Sequence, residues 1–203
     1  MSKLSKKSLL LFSGVLAVCA LAAPMASAAS WAPIGTTHVL SSADLSFTAT
    51  GALGQLGSSC ADSEFHVDVT SAAVLTITGA AFRNCMGTFA AANCTLTMNP
   101  TGLPWRATAI TTTNVQIHGV DVDVLFENTP GNPTACAVNG ASVRLTGTLT
   151  SGTFDPSATG ANRRVTFNHA DGLTSHSAQL GGPTQAFVTG AFRDTAGTLN
   201  VFD

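Results

Sequence analysis

The chain has 203 residues, with nine basic and eleven acidic side chains, five cysteines and no tyrosine. All three lysines fall within the first seven positions, so the chain after residue 28 sets six arginines against eleven carboxylates, a net charge of −5. That balance excludes nucleic acid as a partner, because phosphate binding depends on many cationic contacts, and it excludes adsorption to an anionic membrane surface.

Lys3, Lys6 and Lys7 precede an apolar run from Leu9 to Ala23, and Ala26-Ser27-Ala28 supplies small residues at a cleavage site. This order is that of a secretory signal peptide. Residues 1–28 are therefore expected to be removed, leaving 29–203 as a single secreted β domain in the extracellular space, the periplasm or at the cell surface. Cys19 follows Val18 rather than the small residue that a lipid-modified cysteine requires, so it is expected to leave with the signal. No later segment has the length and apolarity of a transmembrane anchor.

All 28 threonines lie beyond the signal. Threonine is β-branched and half-polar, which suits the wet face of a strand. Two-residue alternation recurs in short runs separated by glycine, proline, asparagine and serine. Ser63 to Val69 puts Phe65, Val67 and Val69 on one face and Glu64, His66 and Asp68 on the other. A turn at Ser71-Ala72 and the run Val74 to Thr78 complete a hairpin. Thr78-Gly79-Ala80-Ala81-Phe82-Arg83 is echoed by Thr189-Gly190-Ala191-Phe192-Arg193, which reads as a repeated turn at a strand end. Cys94 to Met98 alternates and stops at Asn99-Pro100. Between Asn114 and Glu127 the apolar positions shift from odd (Val115, Ile117) to even (Val120, Val122, Val124, Phe126). A β-bulge at His118-Gly119 inside one long strand accounts for the shift. Asn128 to Thr134 and Phe154 to Ala161 read as loops. Val143, Leu145 and Leu149 continue the pattern, as do Val165 and Phe167. Asn168 to Gly172 reads as a turn, and Leu199 and Val201 close the chain. About nine to eleven strands with no room for helical crossovers give an all-β fold, an antiparallel sandwich or partly closed barrel.

Cys60, Cys85, Cys94 and Cys136 are an even set in an oxidising compartment, and their spacings of 25, 9 and 42 do not suit zinc. The hairpin centred on Ser71-Ala72 sets Cys60 opposite residues 83–85. This predicts Cys60–Cys85, and Cys94–Cys136 by elimination.

With the cysteines paired, no thiolate is spare, and the chain contains no Gly-x-Ser-x-Gly elbow. No catalytic residue and no cofactor is expected. For metal, Asp62, Glu64, His66 and Asp68 share a strand face at about 7 Å spacing. Asp121, Asp123 and Glu127 line another, and the two rows could form an oxygen-rich site only on neighbouring strands. Glu64, His66 and Asp68 are the metal candidates, and a solvated strand face is the simpler reading. Trp105, in Gly102-Leu103-Pro104-Trp105, reads as a core plug at a strand start.

The run Cys60…Phe82…Cys85…Cys94, then Leu103-Pro104-Trp105, then Thr111 to Ile117, resembles small secreted bacterial β-proteins of unknown mechanism, some labelled activators of alkane oxidation. The resemblance covers about 65 residues. It implies action at the cell surface or in a biofilm matrix and supplies no catalytic residues. The expectation is a non-catalytic exported protein with surface or matrix components as partners. The alternatives are a secreted hydrolase or metal-dependent enzyme, a β protein binding a small apolar ligand such as an alkane or lipid, and a pilin-like subunit. The last is suggested by the alternating end Thr198 to Phe202.

Overall fold

The computed structural model describes residues 29–202 apart from 133, 134 and 156, and the signal-peptide assignment of residues 1–28 lies outside the described residues. The alternating segments are strands, and with segments whose alternation is weaker they bring the count among the described residues to twelve, against the nine to eleven expected. They are β1 (Ser30–Ala32), β2 (Thr37–Ser42), β3 (Leu45–Gly51), β4 (Gly54–Val69), β5 (Leu75–Phe89), β6 (Cys94–Pro100), β7 (Trp105–Thr111), β8 (Asn114–Asn128), β9 (Ser142–Phe154), β10 (Arg164–Ser177), β11 (Gly181–Asp194) and β12 (Asn200–Phe202). Every pairing is antiparallel.

Of the two expected arrangements the chain takes the barrel and closes it. β2 and β3 lie end to end, both pairing with β4 on one side and β11 on the other; β6 and β7 do the same between β5 and β8. Counting each split strand once, the wall has eight positions in simple up-and-down order, and β11 meets β2 and β3 to close it. Closure removes the edges along which an open sheet could pair with other chains. β1 and β12 form a separate two-stranded cap, with Trp31 N donating to Ala72 O at 2.7 Å. That end is the plug end. The other carries the long 129–141 connection and is the loop end.

Closing eight strands requires tilt and local bending, and the chain bends by bulging. The bulge expected at His118-Gly119 is present: Gly119 has φ +74°, and the β8–β9 register shifts between His118 and Val120. The segment Asn168 to Gly172, expected as a turn, instead stays inside β10 as two successive irregularities, with His169 at φ +53° and Gly172 at φ +94°. Both bulges keep Phe167, Ala170 and Leu173 pointing inward. A turn and a double bulge use the same residue types, and only the continued ladder to β9 and β11 separates them. The two Thr-Gly-Ala echoes also lie within strands, β5 and β11, rather than at strand ends.

Inside, aromatic rings form a connected column. Phe65 stacks on Phe192 at 4.2 Å and meets Phe82 and Trp105 edge-on at 6.2 and 6.0 Å. Phe47 extends it beyond Phe82 toward the loop end, and Phe167 extends it beyond Phe192. At the plug end Trp31 packs edge-on against Phe154. Trp105 is buried and its indole N–H donates to Thr101 O at 2.9 Å, so it is the core plug its position suggested. Both disulfides are formed, Cys60–Cys85 across directly paired residues of β4 and β5, and Cys94–Cys136 between the start of β6 and the long connection.

Candidate functional site

An eight-stranded barrel can either be filled by its own side chains or hold one small ligand. Here the side chains fill it. Three narrow voids lie along the interior among the described residues. One of about 20 Å³ lies under Trp31 and Phe167, and one of about 10 Å³ lies between Trp105 and Phe82. The third, about 30 Å³ near the loop end, is lined by Phe47, Leu56, Leu96, Phe126, Val143 and Leu145 among others. About 10–15 Å³ of such space admits one water, so each void has room for roughly one to three waters and none takes an alkyl chain unless the wall opens.

The larger concavity is outside. A groove of about 610 Å³ near the loop end is lined by Asp123, Ser142, Val143, Arg144, His176, Ser177 and Ala178. The ladder makes it: Asp123, Arg144 and His176 are direct cross-strand neighbours on β8, β9 and β10, all on the outer face. Arg144 grips Asp121 with two parallel bonds, Nε at 2.8 Å and Nη2 at 2.6 Å. That fork holds the Asp121 carboxyl below the usual carboxylate range against a small opposing effect of burial, with help from Thr101, and raises the Arg144 guanidinium. Asp123 stands 3.9 Å from Arg144 Nε. The groove is thus a polar surface with a mild negative balance. Of its hydroxyls, Ser177 Oγ donates to Ser142 O at 2.6 Å rather than to His176.

The metal candidates do not converge. Asp62 and Glu64 both pair with Arg83, at 3.2 and 3.0 Å, which raises the guanidinium through its bonds to Glu64 and then Asp62. Asp68 accepts the Thr37 hydroxyl at 2.8 Å, and His66 stands exposed over Gly79. β5 and the split β6/β7 strand separate β4 from β8, so the acidic rows on those two strands never meet. Among the described residues no three histidine, cysteine or acidic side chains gather in a metal-binding group.

One polar constellation escaped sequence reasoning. His38 and Asp194 are 3 % and 1 % exposed, and their side chains meet at 3.3 Å. His38 Nε2 is 2.8 Å from Thr36 Oγ1. The order hydroxyl, imidazole, carboxylate is that of a nucleophilic triad. However, the Thr36 hydroxyl donates to Pro33 O at 2.6 Å, and Asp194 is engaged by the amides of Ala196, Thr198 and Leu199. The arrangement fastens the cap to the barrel. Asp194 followed by glycine at 197 and threonine at 198 is a turn signal that could have exposed half of it; nothing local marks His38 as its partner.

A family model described as "Alkane oxidation protein activator PraA/PraB-like" matches residues 4–170, most of the chain. The protein belongs to that family. No curated protein and no solved structure matches it.

Proposed function

We propose that this family member is a non-catalytic exported protein of the cell surface or extracellular matrix, acting through its outer surface. One observation carries the reading: the barrel interior is occupied by its own side chains, with free volumes of about 10 to 30 Å³. A closed wall, two disulfides and strand faces rich in hydroxyls support it, since they suit a durable protein in an oxidising, protease-exposed setting. Fractionating cells of the source organism tests it. The shortened chain is expected in the culture fluid, the matrix or the envelope, and recovery of the intact chain only from the cytoplasm overturns the reading.

A second reading, binding of a small apolar ligand in the barrel, is favoured by the family's description and requires the apolar-lined void beside Phe47, Leu96 and Phe126 to widen on binding. Titration with hexadecane or a fatty acid tests it. No thermal stabilisation and no displacement of a fluorescent probe ends it.

A further inference from the structure

The connections at the loop end of the barrel carry no charge, and the nearest charged or titratable side chains, Glu127, Arg144 and His176, stand on the adjoining strand ends of β8, β9 and β10. These four connections, residues 52–53, 90–93, 129–141 and 178–180, contain no aspartate, glutamate, lysine, arginine or histidine. On the β3–β6 side the flanking strands extend the gap, with no ionisable charge from Leu45 to Cys60 or from Met86 to Trp105 apart from the paired cysteines; on the β8–β10 side it ends at Glu127, Arg144 and His176. The plug end differs, with Asp155 and Arg163 in its longest connection and Arg164 beside them. Two large apolar side chains stand out at the loop end, Leu53 in the 52–53 turn and Phe89 at the end of β5, 58 % and 57 % exposed.

These tips are held rigidly. Leu56 pairs with Phe89 across the ladder, and Ala90 N donates to Gln55 O at 3.1 Å. Ala52 N donates to Leu180 O at 2.6 Å, and Thr129 Oγ1 donates to Asn93 O at 2.7 Å. The Cys94–Cys136 bridge ties the longest connection to the same rim. Exposed neutral donors and acceptors surround the tips, among them Thr50, Gln55, Asn93, Asn132 and Gln179.

We infer that this rim is a docking surface for an electrically neutral phospholipid layer, with Leu53 and Phe89 entering the acyl boundary and the neutral polar side chains meeting the headgroups. An uncharged rim loses little on leaving water, whereas each charged side chain carried into that boundary would cost several-fold more than the apolar tips return. The ring of hydrogen-bonding side chains fits ester and phosphodiester oxygens, which a bare hydrocarbon surface lacks. With no lysine or arginine in the four connections, the rim gains nothing from anionic headgroups, and the chain's net negative charge after residue 28 opposes them. The barrel wall stays in water, because its outer face carries Asp62, Glu64, Asp68, Asp121, Asp123 and, nearest the rim, Glu127 with Arg144 and His176. The inference stands on the rim alone and holds whether or not the export reading does.

The test is flotation of the oxidised protein with phosphatidylcholine vesicles, together with quenching of a Phe89→Trp variant by brominated phosphatidylcholine. Binding is expected to be weak, unchanged between low and high salt, and accompanied by quenching of the new tryptophan. The double variant Leu53→Ser, Phe89→Asn should lower the partition coefficient by about tenfold or more. Asparagine is chosen at 89 because Phe89 has φ +55°, a backbone that asparagine accepts, and unchanged thermal melting confirms the fold. The plug-end variant Ile34→Ser, Phe202→Ser should bind as the parent does. Absence of flotation, binding that requires anionic lipid, loss in the plug-end variant, or adsorption to hexadecane without binding to vesicles would each overturn the inference.

Discussion

His38 Nδ1 lies 3.3 Å from Asp194 Oδ1, joining side chains 156 positions apart in a buried contact between β2 and the end of β11. Burial works to raise the Asp194 pKa, but the amides of Leu199 and Thr198, the charge of His38 and the Ala196 amide together outweigh it, so the carboxyl sits below 3.8 in the folded chain. A carboxylate lowered in this way contributes stability that is fully present above its unfolded value, about pH 4, and is lost as pH falls through the folded value. Asp194→Asn should cost about 2–3 kcal/mol at pH 7 by weakening these bonds. It should also flatten the fall in melting temperature below about pH 4. A variant melting curve with the parent's acid sensitivity would show that the titration lies elsewhere.

The two bridges should behave as independent staples. Replacing either pair with serines is expected to cost about 3–4 kcal/mol through the unfolded chain it constrains. Non-reducing peptide maps should link Cys60 to Cys85 and Cys94 to Cys136 with no free thiol. A Cys60–Cys94 peptide would contradict the register of β4 on β5.

Phe47 lines both the void near the loop end and the one in the middle of the barrel. Phe47→Ala should merge them, lower stability by about 3–5 kcal/mol and create room for a small apolar guest. Benzene or xenon should then raise the melting temperature of the variant and leave the parent unmoved. Equal stabilisation of both proteins would mean the parent already has an accessible cavity.

Two glycines in bulges separate backbone strain from crowding. At Gly119 a Cβ meets nothing within 4 Å, so Gly119→Ala carries only the left-handed φ of +74° and should cost about 1–2 kcal/mol. At Gly172, φ +94°, a Cβ would also collide with the Thr148 carbonyl of the neighbouring strand. Gly172→Ala should therefore be the more damaging of the two in chemical denaturation. Equal costs would mean that β10 yields without penalty.

His66 and Asp68 lie on the wet face of β4 without a converging ligand set among the described residues. Replacing both with alanine should change stability by less than about 1 kcal/mol. Calcium and zinc should shift the melting of parent and double variant equally. A metal-dependent rise that the double variant abolishes would establish the metal reading.

The strands with clear alternation, the inward faces of β4, β6 and β8, the bulge at Gly119 and the Cys60–Cys85 bridge were legible in the sequence, because each depends on period-two alternation or on one hairpin. Cys94–Cys136 follows only by elimination, and alternation does not single out β2, β3, β7 or β11. Local chemistry could not say whether the sheet closes, since closure rests on β11 meeting β2 and β3, segments about 140 residues apart along the chain. For the same reason Asn168 to Gly172 passed for a turn: glycine and asparagine favour left-handed backbone in turns and bulges alike, and the two neighbouring strands decide which forms. His38 and Asp194 became partners, the acidic rows of β4 and β8 were kept apart, and the four uncharged connections were gathered into one rim only through the order of strands around the barrel. Alternation sets which way each side chain points, a property of one strand; what it then meets is set by pairings whose free energy is shared over the whole closed wall.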